Sequence, residues 1–216
     1  MKLPIKDRRA AGRALADVLS DRYRDQDVIV LGVPRGGVPV AAEVAAALNA
    51  PLDILNVRKL PVPYRAGTSL GALASGHVRV LDAEAIRLSG IDGEALEEVI
   101  SMEARELERR ERLHRGDRAR PALAHRCVIL VDDGAASGAT LGAAIEAVRQ
   151  LGPSRVVVAL GVAPPEVEAM LERDADEVVC LATPAPFFGI APWFEDYPEV
   201  TDDDVRALLQ PETAEA

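Results

Sequence analysis

Residues 128–145 read VILVDDGAASGATLGAAI. Four apolar residues run into two adjacent acids, Asp132 and Asp133. Seven small or hydroxylated residues follow, Gly134, Ala135, Ala136, Ser137, Gly138, Ala139 and Thr140, before a helical pattern begins at Leu141. An unbroken apolar run is the mark of a strand buried on both faces, as in parallel sheets. Small side chains after it let a ligand come close to the backbone. The amides of such a turn, backed by the dipole of the helix it opens, form a cradle for an anion. Ser137 and Thr140 add hydroxyl donors. Two acids beside an anion cradle require something neutral or cationic between them. Sugar hydroxyls and a magnesium ion both meet that requirement. The stretch is neither GxxxxGK[ST] nor GxGxxG. A helix capped by Asp133 or Ser137 would explain one acid and some glycines. It leaves the second acid and the spaced hydroxyls without a reason.

Outward from this stretch the same alternation repeats. Apolar strands are predicted at 27–33, 52–60, 126–133, 154–163 and 177–184, with a strand of alternating pattern at 77–82. Helical patterns lie at 7–23, 38–48, 141–152 and 165–174. Residues 92–115 form the longest of them, charge-rich with a thin seam of Leu96, Val99, Ile100 and Leu107. Strands alternating with helices predict an α/β fold, a parallel sheet flanked by helices. The ligand of such a sheet sits outside the carboxyl ends of its strands. The turns to inspect are 34–37, 58–76, 132–140 and 183–197. With 216 residues, one domain over 1–216 is expected, with a Pro/Gly-rich mobile loop near 59–76 and a small C-terminal cap, or hood, near 183–210.

Each of those turns carries candidate residues. In PRGG, Arg35 offers a planar fork to a diphosphate, while Gly36 and Gly37 permit backbone dihedrals that other residues avoid. Arg58 and Lys59 stand between a strand and the glycine-rich loop, in place to close over an anion. Five of the seven aromatic residues fall within 187–197, among them Phe188, Trp193 and Phe194. Their rings could stack on a planar base, or could form a satellite apolar cluster.

Composition narrows the classes. A net charge of −10 argues against a protein that lives on the nucleic-acid backbone. Two cysteines in apolar runs, Cys127 and Cys180, suit free thiols, and three scattered histidines show no zinc-ligand spacing. No apolar run reaches 18 residues and no signal-like start is visible, so no membrane role and a cytoplasmic location are expected. The six residues after Gln210, PETAEA, are expected to be disordered.

VILVDDGAASGAT resembles the 5-phosphoribosyl-1-pyrophosphate (PRPP) motif of the type I phosphoribosyltransferases. Both acids, the pair Gly138-Ala139 and Thr140 match. Gly134 stands where a branched apolar residue is usual, and Ser137 where Thr is usual. LGVPRGGVPVA (31–41) is similar to the family's pyrophosphate loop, and VRKL (57–60) to the approach to its catalytic loop. The chain is most similar to a bacterial subgroup of the family, many of whose members carry a Glu where Gly67 or a neighbour stands here. The resemblance implies transfer of the 5-phosphoribosyl group from PRPP to a nitrogenous base, releasing pyrophosphate; the aromatic cluster after the last strand favours a purine. It implies Asp132, Asp133, Arg58 and Lys59 as catalytic residues. It implies residues 134–140 on the 5′-phosphate, Arg35, Gly36 and Gly37 on the pyrophosphate, and Phe188, Trp193 and Phe194 on the base. It further implies Mg2+ as cofactor, held at Asp132 and Asp133 directly or through water, and a homodimer. A PRPP-sensing regulator on the same fold, or a sugar-phosphate hydrolase, would share most of these features.

Overall fold

The computed structural model describes residues 2–63 and 65–210, without the side chains of 65–68. In chain order the elements are α1 (Arg8–Tyr23), β1 (Val28–Gly32), α2 (Gly37–Leu48), β2 (Leu52–Ile54), β3 (Val57–Val62) and β4 (Arg65–Ala74). There follow β5 (Val78–Leu81), α3 (Ala83–Ser89), α4 (Gly93–Arg115), β6 (Cys127–Gly134) and α5 (Ala139–Gln150). The chain closes with β7 (Arg155–Val162), α6 (Pro165–Leu171), β8 (Glu177–Ala182) and α7 (Asp202–Leu209). The predicted tail after Gln210 lies outside the described residues.

Five strands form a parallel sheet in the order β2-β1-β6-β7-β8. Alternate side chains serve its two faces. Val30, Ile129 and Val157 pack under Leu15 and Leu19 of α1 and Val40 and Val44 of α2. Ile29, Leu130 and Val158 pack under Leu141 and Ile145 of α5 and Val167 of α6. Burial on both faces is why these strands read as continuous apolar runs. β1 and β6 are neighbours in the sheet but far apart in sequence, and helices leave them toward opposite faces. This is the switch point at which open α/β sheets leave a crevice.

The expected loop at 61–76 is instead a hairpin. β3 and β4 pair antiparallel, and β5 completes a second, three-stranded sheet. The predicted strand at 52–60 is accordingly two strands in two sheets. Pro61, which reads as a strand breaker, lies on the edge strand at an irregularity in the β3–β4 register. An edge strand tolerates the missing N–H. α4 lies across this sheet, burying Val99, Ile100 and Leu107 against Leu60, Leu70 and Leu73, the seam the sequence marked.

Two helices escaped the sequence reading. α3 is capped by Asp82, whose carboxylate accepts from the Ala85 amide at 2.8 Å. α7 opens with a capping box between Thr201 and Asp204. α7 buries Val205 and Leu209 against Val38 and Ile54, while the residues before it run irregularly, with one 3-10 turn at Ala191–Trp193, and pack into the core on the α1/α2 face of the sheet. That irregular segment is stitched to the start of the chain. The Ile5 amide donates to the Trp193 carbonyl, and the Glu195 amide donates to the Ile5 carbonyl, both at 2.8 Å. Among the described residues no helix is long and apolar enough to cross a membrane.

Candidate active site

The turn after β1 and the turn after β6 meet at the switch point. The Val33 amide donates to the Val131 carbonyl at 2.9 Å, which draws the two turns together. A Cβ on Gly36 would lie 2.2 Å from Asp133 Oδ2, and one on Gly37 would lie 2.4 Å from the Val131 carbonyl oxygen. Gly36 has φ −60° and ψ −33°, ordinary helical values. The expectation that unusual dihedrals require glycine there is therefore corrected: the requirement is space. Gly36→Ala is expected to lower stability by about 1–3 kcal/mol, the usual range for overpacking, because the carboxylate it meets is pinned. A thermal melt checks this, and an unchanged midpoint would show that Asp133 can yield.

The two acids differ in situation. Asp133 is buried, and its Oδ2 accepts from Arg8 Nε at 2.7 Å and from the Tyr197 hydroxyl at 2.8 Å. The guanidinium of Arg8 lies over the Tyr197 ring, 3.7 Å from its centre. Burial and the Asp133 charge push the Tyr197 phenol well above its ordinary range. The expectation that both acids stand free for ligand is thus corrected: Asp133 is already engaged by protein donors. Asp132 is half-buried, and its Oδ1 accepts only the Asp133 amide, at 2.9 Å. Burial first, and then the neighbouring Asp133 charge, hold its carboxyl well above the usual range.

The turn at 134–140 has the cradle form. Ala135 donates its amide to the Val162 carbonyl at 2.9 Å, which leaves the next residues to curl outward. Gly138 is the N-cap of α5 with φ +68°, the left-handed region that favours glycine, and Met170 fills the space where a Cβ would stand. No side chain caps this helix, so neither Asp133 nor Ser137 is explained by capping. Among the described residues, the amides of Ser137, Gly138, Ala139 and Thr140 and the hydroxyls of Ser137 and Thr140 have no protein acceptor. Ala136, Ser137, Ala139 and Thr140 are exposed, whereas Gly134, Ala135 and Gly138 are buried. The Gly134 departure from the motif has a local reason, since Val162 and Ile190 occupy the place of a side chain.

A cleft of about 440 Å3 opens between Arg35, Gly36 and Asp133 on one side and residues 197–200 on the other. Arg35 reaches across it to Glu199 at 2.7 Å, an exposed pair worth little. A larger cleft of about 810 Å3 lies between the antiparallel sheet and the start of α5, lined by Lys59, Ser69 and Ala139 among others. Lys59 therefore faces the neighbourhood of the cradle. Arg58, adjacent on the strand, faces the other way and pairs with buried Glu103 of α4 at 2.5 Å. Arg58 as a free closing cation is corrected on that ground.

The aromatic cluster divides. Phe194 is buried in the core against Tyr197, with ring centres 5.1 Å apart, and is not open to stack on a base. Trp193 stacks on Phe187 at 6.2 Å, and its indole N–H is buried without a partner. Phe188 is 85% exposed. Arg8 and Tyr197 were not singled out from sequence, although both belong to the Asp133 site. Cys127 and Cys180 are free, and burial pushes both thiols up to about 11.

The model of the phosphoribosyl transferase domain family matches residues 4–193. A Mycobacterium tuberculosis H37Rv protein with a provisional phosphoribosyl transferase name is 44% identical over 209 residues, which is 97% of this chain and 47% of that protein. The chain thus spans about half the length of the curated relatives it matches. The crystal structure of TT1426 from Thermus thermophilus superposes with TM-score 0.85 at 41% identity, covering 97% of this chain and 98% of that one. The purine phosphoribosyltransferase of Pyrococcus horikoshii, at 20% identity and TM-score 0.50 over 88% of this chain and 91% of its own, shares the fold. A matched family model over most of the chain, laid on a strand–turn–helix whose free amides sit beside paired acids, makes this chain a member of the phosphoribosyl transferase family.

Proposed function

We propose that the chain binds PRPP across the β1/β6 switch point and transfers its 5-phosphoribosyl group to a nitrogenous base, a purine first, releasing pyrophosphate. The observation that carries this reading is the run of unpartnered amides at 137–140 beside Asp132. Those amides, with Ser137 and Thr140, hold the 5′-phosphate. Charge-assisted hydrogen bonds contribute about 1.5–3 kcal/mol each, so four or five of them suffice for micromolar binding after ordering costs. Asp132 accepts from the ribose hydroxyls. Arg35 leaves Glu199 and takes the diphosphate, and Lys59 approaches from the antiparallel sheet. Stabilising the departing diphosphate and holding the acceptor in line account for most of the catalysis. The exposed Phe188 and the Trp193–Phe187 stack are where a planar base would rest.

Magnesium fits this donor set. Among the described residues no cluster of three or more His, Cys, Asp or Glu could hold a metal. Mg2+ commonly takes one or two carboxylates and draws the remaining ligands from substrate oxygens and water. Asp132 is the carboxylate in place for it, and Asp133 supports from behind. When bound, the ion neutralises diphosphate charge and templates the ribose oxygens.

The test is pyrophosphate release by the purified chain with PRPP and a panel of purine and pyrimidine bases, with magnesium and with chelator. Release is expected to need PRPP, magnesium and a base, and to be fastest with a purine. Base-independent release would make it a hydrolase. PRPP binding with no release from any base would make it a regulator.

A further inference from the structure

Arg8 belongs to none of the motif segments, yet its guanidinium joins three parts of the site. It is the first residue of α1 and is 8% exposed. Its Nε donates to Asp133 at 2.7 Å, its Nη1 donates to the Pro198 carbonyl at 2.6 Å, and its face covers the Tyr197 ring. A cation at the first turn of a helix opposes the helix dipole, and the one acid at that end, the N-cap Asp7, is engaged by the Ala10 amide at 2.6 Å rather than by Arg8. A buried ion pair gives little net stability over an apolar pair of similar volume. The helix therefore does not explain why an arginine stands there.

What the arrangement does is fix distances. Asp133 is clamped between Arg8 and Tyr197 on one side and the bare backbone of Gly36 on the other. The same guanidinium holds the segment carrying Pro198, which forms the far wall of the 440 Å3 cleft. The width of that cleft, from Asp133 at the end of β6 to the segment carrying Pro198, is thus held by one fork of hydrogen bonds. We propose that Arg8 is a positioning residue for PRPP: by tying Asp133 to Pro198 it sets the width of the cleft beside Arg35 and Gly36 into which the diphosphate enters. The proposal rests on the PRPP reading above.

Lysine keeps the charge but cannot hold two separate acceptors, Asp133 and the Pro198 carbonyl, from one rigid plane. Arg8→Lys is therefore expected to raise the PRPP dissociation constant roughly tenfold in the folded protein, beside a lowered thermal midpoint from the lost Pro198 bond and Tyr197 stack. Tyr197→Phe keeps the ring and removes one donor, and is expected to raise it roughly threefold. In steady-state assays both variants should raise KM for PRPP and leave KM for the base unchanged. Calorimetric titration of PRPP with magnesium reads the constants, and melting reads the fold. If both variants bind PRPP as the native chain does, the proposal is overturned while the PRPP reading stands. A lowered midpoint with unchanged PRPP affinity of the folded protein also overturns it, because the role is then structural. If the native chain itself does not bind PRPP, both fall together. Should Arg8→Lys fail to fold, Tyr197→Phe decides the matter on the same carboxylate.

Discussion

Asp133→Ala is expected to destabilise the chain by about 3–5 kcal/mol, because it leaves the buried Arg8 guanidinium without its partner. Both side chains are under a tenth exposed, 9% for Arg8 and 5% for Asp133, so solvent does little to replace the lost contact. The Tyr197 hydroxyl loses its acceptor as well. For a chain of this length each kcal/mol moves the midpoint by roughly 2–4 °C, so a fall of roughly 6–20 °C is expected in a thermal melt. A shift of only a degree or two would mean that water reaches Arg8 and that the pair does not hold the start of α1 against the end of β6.

Asp132→Asn should do the reverse: weaken PRPP binding by about tenfold or more, and leave the fold as stable or more stable. Its carboxyl is held above the ordinary range by burial and by the charge of Asp133. Folding therefore favours the protonated acid, and the ionised form costs stability. That cost is absent below the ordinary carboxylate range. It sets in as pH rises above that range and is complete above the raised value. Asparagine never carries it, so the midpoint advantage of the variant should grow between acid and neutral pH. Melts at several pH values, with calorimetric PRPP titration at neutral pH, check both halves. Native PRPP affinity in the variant would remove Asp132 from the site.

These opposite expectations for neighbouring acids were not legible in the sequence. DD at a strand end reads as two equal ligands. The difference arises because Asp133 meets Arg8, 125 residues away, and Tyr197, 64 residues away. Such contacts leave no local trace beyond a cation at the start of a helix. The parallel sheet was legible because double-sided burial writes an unbroken apolar run, as in Val128–Val131. The family was legible because the cradle is local, one turn between β6 and α5. The hairpin at 57–74 was misread because Pro61 and its glycines mark loops by composition, whereas an edge strand with an irregular register accommodates them. Alternation along β3 then sends Arg58 to α4 and leaves Lys59 toward the cleft. Phe194 looked like its aromatic neighbours, and its burial, its packing on Tyr197 and the Ile5 bridge place it in the core instead.

The central claim is that a phosphorylated ribose sits on the turn between β6 and α5. Amide hydrogen exchange across 134–140, with and without PRPP and magnesium, tests it most directly. Among the described residues the amides of 137–140 have no protein acceptor, and they should exchange fast in the free chain. Saturating PRPP should slow them by roughly tenfold or more, while an Asp132→Asn chain at the same concentration shows much less protection. PRPP binding that leaves these amides as fast as before, or protects another face of the sheet instead, would contradict the account.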